Sequence, residues 1–158
     1  MTEDATIVPA TRSHYGLIKD MAVAYMTELR YALQLPLGQD IAYFDNYFAD
    51  SDRYIFLIKH GIKNAGFALI NKVCAHPDSE YHVAEFYIQE QFRRHGVASR
   101  AASSIFNSMP GNWEISIMPN HNSALDFWLY TVKQHTNSAY ECVHAQGDSK
   151  TLIHFTSP

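Results

Sequence analysis

Two groups of residues in this chain of 158 could do chemistry. The first is Arg93-Arg94-His95-Gly96, followed by Val97-Ala98-Ser99 at what reads as a helix start. The amides of a first helical turn have no intrahelical acceptor, and the helix dipole is positive at that end. A strand, a glycine loop and a helix start can therefore hold an anion, and Gly96 admits a close approach of backbone to ligand. Arg93, Arg94 and His95 would add charge-assisted hydrogen bonds to phosphate oxygens. The same four residues also read as a solvated basic turn whose glycine only relieves the backbone, and the short string is compatible with both. The second group is His82 and Glu85, three apart on the run Tyr81–Ile88. A carboxylate or an imidazole can take a proton from a nucleophile, directly or through water. Strand alternation puts the two on opposite faces, and a β-bulge would bring them together. Glu85 is the favoured base of the two; a salt-bridge or surface role is the plainer reading of each.

These residues need elements to position them. Ala5–Pro9 reads as a first strand, with Thr11 or Ser13 as a cap for the next helix. Leu17, Ile18, Met21, Ala24, Tyr25, Leu29 and Leu33 recur at helical spacing over His14–Leu33, and Pro36 and Gly38 punctuate the end. Asp40–Phe48 reads as a short second helix with an aromatic stripe. The period then changes: Arg53–His60 and Gly66–Cys74 read as a hairpin across Gly61–Asn64, and Tyr81–Ile88 as the next strand after the turn His76–Ser79. Ala98–Ser108 reads as a helix stopped by Pro110-Gly111, Trp113–Met118 as a strand, and Ser123–His135 as a helix. Ser138–His144 and Leu152–Phe155 read as two last strands across Gln146–Asp148. The order β-α-α-β-β-β-α-β-α-β-β predicts one mixed α/β domain over 1–158, its central strands a meander.

Composition narrows the function. The chain is 47% hydrophobic and 18% charged, with net charge −4, so the broad basic face of a nucleic-acid binder is not expected. No apolar run approaches the roughly 18 residues of a membrane span, and the acidic start MTEDATIVPATRSH has no apolar leader core, so no membrane association and a cytoplasmic protein are expected. Cys74 and Cys142 have no CxxC spacing and no positive neighbourhood, which suggests neither a disulfide nor a nucleophile. The nine histidines lack spacings such as HxxxH, so no metal site is expected.

Read together, RRHGVA at 93–98 fits the R/Q-x-x-G-x-G/A signature of the GNAT superfamily of acetyl-coenzyme A-dependent N-acyltransferases. It stands after EFYI (85–88), and PGNW (110–113) and ALDFW (124–128) come after it. The chain resembles that family in element order throughout and in motif over residues 85–130. The resemblance implies the GNAT-type fold, a central mixed, mostly antiparallel sheet flanked by helices, and acetyl-coenzyme A as co-substrate. It implies that the backbone of Phe86, Tyr87 and Ile88 pairs with the pantetheine arm. Arg93, Arg94, His95, Gly96, Val97, Ala98 and Ser99 would hold the pyrophosphate, mainly through main-chain amides. Arg94 would point either to solvent or to the 3′-phosphate, and Asn122 and Phe127 would border the acetyl channel. His82 matches the position of the family's glutamate base in histone-type members. Two departures stand out. His121 occupies the place of the family's helix asparagine, between Asn120 and Asn122. Trp128 replaces the usual tyrosine acid, leaving Tyr130, Tyr87 or water for that role, because an indole N–H is a donor but no useful acid.

Transfer to a primary amine of a small molecule is then expected, with a catalytically weak acyl-coenzyme A sensor as the rival. Glu28, Asp40, Asp45, Asp50 and Asp52, interleaved with Tyr31, Tyr43, Phe44, Tyr47 and Phe48, would suit a cationic amine, or would simply be a core stripe with a solvated face. By analogy with family members of this size a homodimer is expected.

Overall fold

The computed structural model describes residues 4–36, 40–143 and 150–158. Among these residues seven strands form one sheet: β1 (Ala5–Pro9), β2 (Tyr54–His60), β3 (Lys63–Asn71), β4 (Tyr81–Ile88), β5 (Gly111–Ile117), β6 (Tyr140–Val143) and β7 (Thr151–Ser157). Their spatial order is β1-β2-β3-β4-β5-β7-β6, antiparallel throughout except for the parallel pair β4–β5. Among the described residues three α-helices flank it: α1 (Tyr15–Leu33), α2 (Val97–Ser108) and α3 (Asn122–Thr136). No helix among the described residues is long and apolar enough to cross a membrane.

The central strands carry apolar residues toward both faces because both faces are covered. On one face Ile18, Met21 and Ala22 of α1 pack with Leu57, Phe67, Leu69 and Tyr87. On the other, Ala101, Ile105 and Phe106 of α2 and Trp128 and Val132 of α3 pack with Ile58, Ile70, Val83, Trp113 and Ile153. Trp113 is fully buried, its indole donates to the Met109 carbonyl (3.0 Å), and its ring meets Phe106 and Tyr81. Area removed from water is the main stabilising term for such a doubly covered sheet.

The order of strands is as expected, and several boundaries move for identifiable reasons. Tyr43 takes a left-handed conformation (φ 60°), so the expected helix over Asp40–Phe48 shrinks to a 3₁₀ turn, Phe44–Phe48. Strand β3 begins at Lys63 because the turn tightens to Gly61-Ile62, with Gly61 at φ 61°. It stops at Asn71, whose side chain accepts the Val73 amide (3.0 Å) and turns the chain before Cys74. A 3₁₀ turn, Glu90–Phe92, stands between β4 and α2, where no element was expected. The last two strands lie at Tyr140–Val143 and Thr151–Ser157, and the expected turn Gln146–Asp148, like Gly38 and His144, lies outside the described residues.

Candidate active site

Everything at the site depends on where β4 loses a neighbour. Strands β4 and β5 pair only over Tyr81–Val83 with Trp113–Ile115, although β4 runs on to Ile88 and β5 to Ile117. Beyond Val83 the two splay, and β4 keeps only β3 beside it. The amide of Gln89 donates to the Ala65 carbonyl of the β3 side (2.8 Å). By antiparallel alternation Tyr87 also faces β3, which leaves the backbone of Phe86 and Ile88 turned toward the gap. A row of unpaired main-chain groups is a template for an extended ligand.

At the same gap α2 begins. The first helical bond here runs from the Arg100 amide to the Gly96 carbonyl (3.1 Å), so the amides of Val97, Ala98 and Ser99 have no acceptor within the helix. Gly96 is left-handed (φ 74°), and a Cβ there would come within 2.9 Å of the Arg100 guanidinium. Arg94, two residues earlier, is left-handed too (φ 67°). Edge and helix end open into one cleft of about 1000 Å³. Its walls are Phe86, Tyr87 and Ile88 of β4, the Arg93–Ser99 segment without His95, Tyr25, Glu28 and Tyr31 of α1, and His121, Ala124, Phe127 and Trp128 around α3.

The expected site residues fall unevenly around it. Phe86, Tyr87, Ile88, Arg93, Arg94, Gly96, Val97, Ala98, Ser99 and Phe127 line the cleft. His95 is exposed outside it, and Asn122 also lies off its walls, where His121 faces in. Burial pushes the His121 imidazole toward its neutral form. Arg93 is turned away from the helix amides. Its Nε donates to the Ile88 carbonyl (2.8 Å), its Nη2 pairs with Glu28 (2.7 Å), and its guanidinium lies over the Tyr87 ring. One of the free edge carbonyls is therefore taken by the protein itself. Ser99 is tied through its hydroxyl to Thr131 (3.2 Å), leaving its amide as the group that faces a ligand.

Tyr130 is 60% exposed on α3 and does not line the cleft. Trp128 does, buried between Phe86, Phe127 and Phe106 as an apolar wall. Of the tyrosines considered as acids, Tyr87 is the one the cleft includes, and burial raises its pKa.

The base candidates meet as a bulge allows. Leu69 pairs with Glu85 but Ile70 pairs with Val83, so Ala84 has no partner and β4 carries one extra residue. Val83 and Phe86 face α2 and α3, while Ala84 and Tyr87 face α1. Glu85 and His82 share that α1 face. The Tyr25 hydroxyl of α1 donates to the Glu85 carboxylate, and Tyr25 packs on Phe67 and Tyr87. The His82 Nδ1 meets Asn71 Oδ1 (3.2 Å), and Asn71 donates to the Tyr47 hydroxyl (3.0 Å). Burial raises the Glu85 pKa, partly offset by the Tyr25 hydrogen bond, and lowers that of His82. Glu85 does not itself line the cleft; Tyr25, standing between, does.

Most of the expected acidic and aromatic lining is elsewhere. Asp45 accepts from Tyr15 (2.6 Å), Asp50 and Asp52 stand by Arg53, and Phe44 and Tyr47 are core. Only Glu28 and Tyr31 of that set reach the cleft. Sequence reasoning missed Tyr25 as a site residue; its helical spacing marked it as core, which it also is.

No protein-family model matches the sequence, and no curated protein matches it. Solved structures do. An acetyltransferase from Thermus thermophilus superposes with a TM-score of 0.72 at 14% identity, over 99% of both chains. The GNAT domain of S. lividans PAT gives 0.64 at 16% identity, over 96% of this chain and 90% of that one. The chain has the GNAT fold. Another protein with that fold, Arabidopsis thaliana NAA60 in complex with acetyl-CoA, gives 0.64 at 13% identity, over 96% of this chain and 97% of that one.

Proposed function

We propose that this chain is a GNAT-superfamily acetyltransferase that uses acetyl-coenzyme A to acetylate a primary amine of a small molecule. The observation that carries the reading is the convergence, in one cleft, of the edge Phe86–Ile88, which β5 leaves without a strand partner, with the free amides of Val97–Ser99. The residues fit such a group. An extended amide-containing arm can pair with the free edge, and a pyrophosphate can lie on the helix amides, where any side chain at 96 would strain the backbone and meet Arg100. Arg94 lines the cleft beside those amides and is the side chain placed to add charge. When bound, acetyl-coenzyme A supplies the acetyl thioester; the rest falls to this chain.

An amine is a nucleophile only when neutral, and it must shed a proton. Glu85, held half-buried with a raised pKa, is suited to accept it. Since Tyr25 separates Glu85 from the cleft, the proton would pass to the Tyr25 oxygen as the Tyr25 proton passes to the Glu85 carboxylate. Tyrosinate never accumulates, in keeping with the strongly raised Tyr25 pKa. Phe86, Phe127 and Trp128 exclude water around the acetyl end. Trp128 in place of an acid favours one rival reading, an acyl-coenzyme A sensor without turnover.

Calorimetry and an acetyl-transfer screen over polyamines, aminoglycosides, amino acids and peptides test both. Acetyl-coenzyme A should bind, Gly96→Asp should weaken it about a hundredfold or more, roughly 3 kcal/mol, and one amine class should be acetylated. A folded Gly96→Asp variant with unchanged affinity would sink the assignment, and binding without transfer to any amine would establish the sensor.

A further inference from the structure

Away from the cleft, one level of the sheet carries an unbroken polar row. His82 on β4 is paired with Glu114 on β5, Glu114 with His154 on β7, and His154 with Glu141 on β6. Residues directly opposite in neighbouring strands project to one face, so these side chains stand side by side. The loop after β3 lies over the row. Glu114 is 1% exposed, and its two carboxylate oxygens accept the amides of Ala75 (2.8 Å) and His76 (2.9 Å). A buried carboxylate is costly, and this one is used to fix the backbone that carries His76.

The result is a second cluster of chemically capable groups. The His76 ring stacks on His154 with centroids 4.1 Å apart, and ligand atoms of His76, Glu141 and His154 all lie within 4.8 Å of one another. His154 Nε2 is buried without a hydrogen-bond partner. An orphaned buried imidazole nitrogen is rare, because leaving it unpaired costs as much as a lost hydrogen bond.

We propose that His76, Glu141 and His154 bind one divalent transition-metal ion, with zinc the best chemical match. Two imidazoles and one carboxylate are a zinc-type donor set, whereas magnesium and calcium demand oxygen ligands. The buried Glu114 beside them supplies compensating negative charge and holds the His76 loop in place, as outer-shell groups of metal sites do. The Asp78 amide donates to His76 Nδ1 (3.1 Å). Ligation by either nitrogen of that ring ends this contact, since Nδ1 then carries the ion or the ring proton. The ligands come from a loop, β6 and β7, so no sequence spacing announces them. The ion would clamp the β3–β4 loop to the outer hairpin.

The test uses tag-free protein, zinc and cobalt(II), and reads metal rather than turnover, so it stands or falls apart from acetyl transfer. One zinc per chain, visible d–d absorption of the cobalt(II) form and a zinc-dependent rise in Tm are expected. His154→Ala should weaken zinc by roughly a hundredfold or more, beyond what outer-shell changes do. Glu141→Gln, at an exposed position where the change leaves the packing intact, should weaken zinc less and change the cobalt(II) spectrum. His60→Ala should change neither. Absence of binding by the unaltered protein overturns the proposal, as does binding that survives both ligand changes. Should His154→Ala fail to fold, an unchanged affinity and spectrum in Glu141→Gln is enough to overturn it.

Discussion

The two halves of β4 differ in what stands beside them. Tyr81–Val83 has β3 on one side and β5 on the other, while Glu85–Ile88 has β3 on one side and the cleft on the other. Ala84, the extra residue of the bulge, separates them. In the first half His82 and Val83 pair with a strand on each side, and the neighbouring side chains Val83, Trp113 and Ile115 are core. In the second half the same strand offers its backbone outward and brings Glu85 to the face that carries His82. Stability and ligand recognition thus occupy adjacent stretches of one element, and substitutions should separate them.

The largest effect belongs to the paired half. Trp113→Ala removes a fully buried indole and leaves the Met109 carbonyl unpaired, so unfolding should become easier by about 3–5 kcal/mol. Urea denaturation measures this, and the acetyl-coenzyme A affinity of the molecules that remain folded should not change. A loss of affinity per folded molecule would break the proposed division. Gly96→Asp is the converse, a large loss of affinity from a position at the open half.

That division was partly legible before folding. The glycine loop, the helix it opens and the hydrophobic periods are local, so Arg93–Ser99 and the order of elements could be read directly. The gap could not. Nothing in Tyr81–Ile88 announces that β5 abandons it after Val83, because the pairing partner lies about thirty positions away in the chain. Tyr25 shows the same limit: its spacing with Met21 and Leu29 marks a buried stripe, but what the stripe faces is a tertiary fact. His121 rather than Asn122 faces the cleft because Asn122 is already the first residue of α3. Tyr130, three positions past Phe127, falls on the outer side of the same helix.

A smaller effect should come from the open half's chemistry. Glu85→Gln keeps the shape and the Tyr25 contact but cannot take a proton, so turnover should fall about a hundredfold with acetyl-coenzyme A affinity nearly unchanged. Equal turnover would pass the role to His82 or to water. The same variant carries a stability signature. Burial raises the folded-state pKa of Glu85 above its unfolded value, so the folded protein binds this proton more tightly. The resulting penalty is absent below the unfolded pKa and grows as pH rises through the folded one. Glu85→Gln should therefore melt higher than the unaltered protein at neutral pH, and the advantage should vanish on acidification.

The smallest effect tests whether Tyr25 conveys the proton or only packs. Its hydroxyl stabilises the ionised Glu85 and holds the Glu85 pKa below what burial alone would impose. Tyr25→Phe keeps the ring against Phe67 and Tyr87 and removes that donor. Without the hydrogen bond the Glu85 pKa must rise further, so the acid limb of the pH–rate profile should move to higher pH. A ring that only fills space would leave the limb where it was. A relay hydroxyl would in addition lower the plateau at high pH, where Glu85 is ionised in both proteins. The shift and the plateau therefore report two separate things: the first that Tyr25 tunes the base, the second that the proton travels through it.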